Sequence, residues 1–400
     1  MALLSVAEAL RRILDGVEPV LIERMALINC TGLTLAEDLT AKSTQPPFNA
    51  SAMDGYAMRA ADLAALPVTL QQIGESQAGR AFQGRIASGQ CVRILTGAPL
   101  PDGADAIVIQ ENTDVDADRV TIRQGTVDIG HIRLRGGDFL SGDVLLRSGR
   151  RLDARAIMLA AAMGHASLAV RRKPVVAIIA TGDELVLPGA TLGPHQIVCS
   201  NPFGLAALVT AFGGEPQFIG IARDTHEDIG EKVASAGGAD VLVTTGGASV
   251  GDHDLVAPAL EARGLKLDFW KIAMRPGKPM LFGRLGAQRV LGLPGNPVSA
   301  LVCARLFLVP LLARLLGQIG SDAVPVTATL TVPLAANGPR DHYMRATLDH
   351  TSAPPRVTPI ASQDSSLVSA LAAAECLIVV PANGPAMAAG APVQILRLDF

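Results

Sequence analysis

A chain of 400 residues is too long for one ordinary core and is expected to form roughly two to four domains. With 49% apolar and 18% charged residues it is not a disordered chain, and a net charge of −3 gives no field to attract nucleic acid or an anionic membrane. Its five cysteines, Cys30, Cys91, Cys199, Cys303 and Cys376, form no CxxC pair, which argues against a disulfide framework or a zinc knuckle and fits a reducing cytosol.

At the start, Val6, Leu10, Ile13, Leu14 and Val17 recur at helical spacing. The charges there follow the first apolar residues and no small-residue cleavage site is present, so the segment reads as a surface helix and not as a signal. Residues 1–45 are helical and then extended. From 46 to about 145 the helical period disappears, and short β-like runs at 68–73, 105–109 and 119–123 alternate with Gly, Pro and Asp, as in a small β-rich lobe. An alanine-rich helix at 153–164 leads to a basic hinge, Arg171-Arg172-Lys173-Pro174. From 175 to about 317, strands alternate with helices at 203–212, 225–236, 254–262 and 298–316. That is the βαβ signature of a parallel sheet with helices on both faces. The last of these helices is very apolar, but Arg305, Pro310 and Arg314 interrupt it and mark a buried helix, not a membrane span. A linker at 317–325 precedes a small all-β segment with runs at 327–332, 376–380 and 393–398. The expected architecture is α/β and multidomain. A connecting domain takes 1–45 plus 139–173, the β-rich lobe 46–138, the parallel-sheet domain 174–318, and a small β-barrel-like domain 322–400.

Within the sheet domain one arrangement repeats. The strand-like run 175–180 ends in Thr181-Gly182-Asp183-Glu184, and 218–222 ends in Arg223-Asp224. The run 241–245 ends in Gly246-Gly247, followed by Ser249, Gly251, Asp252 and Asp254. Loops leaving the carboxyl ends of such strands share one rim, where ligands bind. Any one acid there is adequately explained as a helix cap or loop residue. Several at successive strand ends would repel an oxyanion unless a hard cation lay between, as magnesium does on carboxylates and phosphate oxygens. The glycines let backbone N–H groups approach an anion, although neither a GxGxxG fingerprint nor a Walker loop is present. Lys271, Arg275 and Lys278, framed by Pro276, Gly277 and Pro279, suit a dianion or pyrophosphate. In Leu293-Pro294-Gly295-Asn296-Pro297, Asn296 reads as an N-cap and Pro297 as the first helical residue, with Ser299 and free N–H groups facing an anion. The seven histidines show no zinc-hydrolase spacing, and no GxSxG elbow or Cys–His pair supports a protein nucleophile.

Six collinear segments carry a resemblance: 53–57, 93–99, 180–185, 244–254, 275–279 and 293–300. Together they resemble the molybdopterin molybdenumtransferases, the MoeA/gephyrin E-domain family, over nearly the whole chain. The resemblance implies a cytosolic, Mg²⁺-assisted enzyme that takes adenylylated molybdopterin and molybdate and releases AMP and molybdenum cofactor. It implies a molybdopterin-binding role for the sheet domain and an elongated homodimer whose site lies between the sheet domain of one subunit and the β-rich lobe of the other. Other proteins of molybdenum cofactor biosynthesis join the expected partners. The family's functional positions fall on Asp54, Thr96, Glu184, Asp224, Asp254, Lys271, Arg275, Pro294, Pro297 and Ser365. Arg135 lies in a segment similar to the family's Arg-rich turn, and Arg345 resembles an arginine beside the oxyanion. Glu184, Asp224 and Asp254 are the expected metal ligands; Thr181, Gly182, Asp183, Gly246, Gly247, Ser249, Gly251, Lys278 and Ser299 complete the expected substrate site. Arg275 stands where some members carry lysine, and Asp364-Ser365-Ser366-Leu367 only approximates the family's Gly-Ser-Gly pattern. The alternatives are a molybdopterin adenylyltransferase, which has no need of 1–170 and 320–400, and a non-catalytic scaffold of the same fold.

Overall fold

The computed structural model describes residues 3–124, 129–247, 255–319 and 325–400. Helix α1 (Val6–Leu14) begins at Ser5, whose hydroxyl accepts the Glu8 N–H at 3.2 Å and satisfies one orphan donor of the first turn. Its buried Ala9 and Ile13 share a core with Val176, Ile178, Leu291 and Phe307 of the sheet domain, and the Leu4 carbonyl accepts the Ala273 N–H at 2.7 Å. By packing, α1 therefore rests on the sheet domain, although the chain runs from it directly into the connecting segment. A helix that shows no β pattern of its own gives no sign of which distant sheet will cover its apolar stripe.

The connecting domain pairs Ile22–Ala26 with Ser167–Arg171, antiparallel, and Thr34–Leu35 lies on the other side of the latter strand. Helix α2 (Ala154–Ala162), capped by Asp153, closes its core over Leu35, Leu146 and Leu152. The β-rich lobe is a six-stranded sheet in which Gly55–Met58 runs antiparallel to Gln90–Ile94, with Gly55 opposite Ile94. That register sets the residue before one strand beside the loop after the other.

The sheet domain has strands β1 (Val175–Thr181), β2 (Glu215–Ala222), β3 (Val241–Thr245), β4 (Lys266–Trp270), β5 (Leu281–Leu285) and β6 (Gln288–Leu293), in the spatial order β2-β1-β3-β6-β5-β4. The first four in that order are parallel. Strand β5 runs antiparallel to β6 and the edge strand β4 antiparallel to β5, so β5 alone opposes the rest of the parallel sheet, a local reversal. Its cause is the two-residue turn Gly286-Ala287 between β5 and β6, with Gly286 at φ +61°, which reverses the chain where a crossover would have kept it parallel. Helices α3 (Asn201–Ala211), α6 (Pro297–Cys303) and α7 (Val309–Leu315) join α1 on one face. Helices α4 (His226–Ser235) and α5 (Val256–Ala262) cover the other. Between α6 and α7 a π turn spans Ala304–Leu308, next to Pro310, which has no N–H to continue the regular ladder. The continuous helical stretch Pro297–Leu315 is long and apolar enough to cross a membrane, yet 89% of its most apolar window is buried inside the protein as core.

Strands β7 (Val326–Leu330), β8 (Asp341–Asp349), β9 (Arg356–Pro359), β10 (Cys376–Val380) and β11 (Pro392–Arg397) close into a barrel in the order β8-β9-β7-β11-β10, with β10 pairing back onto β8. Closure leaves little free edge. The short strand Met274–Arg275 of the sheet domain extends β8 and ties the two domains together.

A crevice at the carboxyl rim of the sheet

Four strand ends and the start of two helices enclose a crevice of about 790 Å³. Thr181, Gly182 and Glu184 after β1, Asp224 after β2, Gly246 and Gly247 after β3, and Pro294 and Pro297 after β6 all line it. They come from stretches spread over more than a hundred residues of sequence and meet because parallel strands put their C-terminal loops on one side. The floor needs glycine. Gly246 (φ +97°) and Gly247 (φ +58°) hold left-handed backbone, and a Cβ on Gly246 would collide with the Thr181 carbonyl. Thr181 is 3% exposed and its hydroxyl has no hydrogen-bond partner among the described residues, so a buried polar atom is left for a bound group.

The acids converge at the crevice wall. Asp183 accepts the Asp224 N–H at 3.2 Å. Partial desolvation, then the like charges of Asp183 and Glu184, push the Asp224 carboxyl above its ordinary range. At Gly182 a Cβ would stand 2.5 Å from a Glu184 carboxylate oxygen, so glycine is what allows that carboxylate to fold back over its own turn. Repelling carboxylates at a crevice wall fit a hard divalent cation, and magnesium asks for only one or two of them when a phosphate supplies the rest. Among the described residues no cluster of three metal-ligating side chains is assembled. The third expected ligand, Asp254, lies outside the described residues, as do Ser249 and Gly251.

The cations do not line the crevice itself. Lys271, Arg275 and Lys278 sit on a loop closed by the hydrogen bonds Lys271 N–H to Met280 and Ile272 N–H to Lys278, each 3.0 Å. Pro279 of this loop lines the crevice, and the Gly277 carbonyl meets the Cys303 thiol of α6 at 3.8 Å. Lys271 holds φ +107°, a conformation that a non-glycine side chain keeps only when its surroundings enforce it. Ser299 is 5% exposed and sits in the first turn of α6, beneath the crevice lip. Asn296 occupies the N-cap position without capping; its amide donates to the Ser365 hydroxyl at 2.9 Å instead. The Ser365 carbonyl takes the Val298 N–H at 3.1 Å, so one donor expected to face an anion is already used. Arg345, which the resemblance sets beside the oxyanion, does not line the crevice. It is 1% exposed and donates to the carbonyls of Ser362, Asp364 and Leu367, bracing the loop that carries Ser365.

In the β-rich lobe the Asp54 carboxylate accepts both the N–H and the hydroxyl of Thr96, at 2.7 and 2.8 Å, which holds Asp54 below the usual carboxylate range. Arg135 is exposed in the same lobe, its N–H on the Asn49 side chain and its guanidinium on the Pro47 carbonyl. None of these three lines the crevice of its own chain.

Asn201 was missed by the sequence reading, which took Asn201-Pro202 only as a helix start. Its amide nitrogen donates to the Thr245 hydroxyl at 2.8 Å and the Gly295 carbonyl at 2.7 Å, stitching the loops after β3 and β6 together. A lone Asn before Pro carries no such signal. Val368, which reaches the crevice from the C-terminal domain, was equally invisible because nothing in its spacing announces a neighbour domain, whereas Ser366 beside it lies in the segment that the resemblance had marked.

Comparison with known proteins covers the same ground. Residues 4–164 match the MoeA N-terminal region (domain I and II), 177–314 a probable molybdopterin binding domain, and 327–398 the MoeA C-terminal region (domain IV). The molybdopterin molybdenumtransferase of Haemophilus influenzae is 35% identical over 382 residues, covering 94% of each chain. That of Bacillus subtilis is 33% identical over 404 residues, covering 99% of this chain and 94% of its own. The crystal structure of the molybdopterin biosynthesis MoeA protein from Pyrococcus horikoshii superposes with a TM-score of 0.85 at 28% identity, over 99% of this chain and 100% of the other.

Proposed function

The chain belongs to the MoeA family and acts in molybdenum cofactor biosynthesis as a molybdopterin molybdenumtransferase, and on that premise we propose the finer reaction: insertion of molybdate into adenylylated molybdopterin with release of AMP, assisted by Mg²⁺. The observation that carries this proposal is the gathering of Glu184 and Asp224, with Asp183 behind them, on the wall of a crevice floored by Gly246 and Gly247. The glycine floor suits the close approach of a pterin phosphate, and the Thr181 hydroxyl offers it a hydrogen bond. Glu184 and Asp224 would hold Mg²⁺, with Asp254 as a third candidate. When bound, the ion would neutralise charge on the phosphoanhydride as AMP leaves. Lys271, Arg275 and Lys278, on the adjoining loop, would hold molybdate as a dianion, with Ser299 in support. Bringing dithiolene sulfurs and molybdate together in one crevice supplies rate by proximity, and no protein nucleophile is called for.

Asp54, Thr96 and Arg135 are part of the same proposal through a second subunit. The Asp54 carboxyl, held below its ordinary range, is exposed outside its own chain's crevice, with apolar Phe48, Met53 and Leu134 exposed in the same lobe, which supports a homodimer whose site lies between the sheet domain of one subunit and the β-rich lobe of the other. A cytoplasmic location, and contact with other proteins of molybdenum cofactor biosynthesis, complete the proposal. The adenylyltransferase alternative is disfavoured because the family match runs through the N- and C-terminal domains as well. Asp224→Ala is expected to lower AMP release from adenylylated molybdopterin and molybdate at least about a hundredfold, with the oligomer unchanged by size-exclusion chromatography. Near-normal turnover would overturn the carboxylate role.

A further inference from the structure

Arg275 meets an unusual partner. The short strand Met274–Arg275 pairs in parallel with the start of β8, and the register sets Arg275 opposite His342. Its Nε and Nη2 face the two imidazole nitrogens at 3.3 and 3.2 Å. Among the described residues no carboxylate lies within ion-pair distance of Arg275. His342 is 5% exposed, and burial, followed by the charges of Arg275 and Arg340, pushes its pKa down to about 4. A neutral imidazole has one ring lone pair to accept a guanidinium N–H, whereas the protonated ring has none. Asp or Glu in that place would fix the guanidinium more tightly and also cancel its charge. Neutral His342 accepts one guanidinium N–H, keeps its ring against the fork, and leaves the charge and the remaining N–H groups available to an anion.

We propose that His342 is a positioning residue that aims Arg275 at the molybdate oxyanion. This rests on the assignment of molybdate to Arg275 and its neighbouring lysines. It also gives a reason for arginine at 275. A lysine would keep the charge, but its compact ammonium on a flexible stem has no planar, preorganised fork to donate one N–H to His342 while turning the others to an anion. The barrel domain thereby contributes to oxyanion binding without touching the substrate.

The test uses the full chain with four variants, Arg275→Ala, Arg275→Lys, His342→Phe and His342→Gln. Kinetics of AMP release against molybdate and against adenylylated molybdopterin are measured separately, with direct molybdate binding by calorimetry. His342→Phe is expected to raise the molybdate KM about tenfold, with kcat and the KM for adenylylated molybdopterin within about twofold of the parent. His342→Gln, which retains a neutral acceptor, should recover most of the loss, and Arg275→Lys should resemble His342→Phe. If Arg275→Ala raises the molybdate KM and His342→Phe does not, His342 only fills space and the proposal falls. If Arg275→Ala itself leaves molybdate binding unchanged, the assignment of molybdate to Arg275 fails first and the proposal goes with it. Should His342→Phe not fold, Arg275→Lys decides: an unchanged molybdate KM with charge retained overturns the pairing.

Discussion

Asp54 and Asp224 are both aspartates in loops next to strands, and their surroundings push their acidities in opposite directions. Two donors from Thr96 favour ionised Asp54, whose contribution to stability is present above the ordinary carboxylate pKa and is lost as pH falls through its depressed value. Thr96→Val removes the hydroxyl donor and leaves only the backbone N–H, so the Asp54 pKa should rise towards its ordinary value. An NMR titration of the Asp54 carboxyl from about pH 2 to 7 measures this. Desolvation and like charges disfavour ionised Asp224, which therefore costs stability at neutral pH, a cost relieved as pH falls through its raised pKa. Asp224→Asn should accordingly have a Tm at pH 7 equal to or slightly above the parent, with the difference fading on acidification, even as turnover collapses. Calorimetry at two pH values reads the sign directly.

At the scale of elements, the turn after β3 is the stiffest requirement. Gly246→Ala faces both a left-handed φ and a collision with the Thr181 backbone, and should destabilise the fold by roughly 2 kcal/mol or more, read from chemical denaturation. Such strand-end turns were legible in the sequence, because an apolar run that stops at glycine and meets acids fits the end of a buried strand and little else. The helices α3 to α7 were legible for the same reason of period and punctuation. Less legible was what each loop residue bonds to. Asn296 sits where an N-cap belongs and spends its amide on Ser365, and Arg345 spends its guanidinium on three carbonyls of one loop. Hydrogen-bond partners between domains are fixed by tertiary placement, which no local spacing encodes. The antiparallel strand β5 escaped notice because a single Gly-Ala turn reverses the chain within a run that otherwise alternates strand and helix.

At the scale of the molecule, the acids and the glycine floor lie in one crevice, the cations on its border, and Asp54 and Thr96 in a different lobe. A site completed by a second copy predicts complementation. Asp54→Ala and Asp224→Ala, each inactive alone, should regain about a quarter of parental activity after subunit exchange, since about half the dimers are mixed and each mixed dimer holds one intact site of two. No recovery after verified exchange would place both residues in service of one subunit. The seating of α1 against a strand segment near residue 272 has a different consequence, in time. On a ribosome adding roughly 5–20 residues per second, helix α1 is synthesised roughly 13–52 s before the segment near residue 272 follows it. Through that interval its apolar stripe stays uncovered. The nascent chain thus carries a sticky amphipathic helix that only much later sequence can quench, and a chaperone able to shield it is expected to raise the yield of folded enzyme.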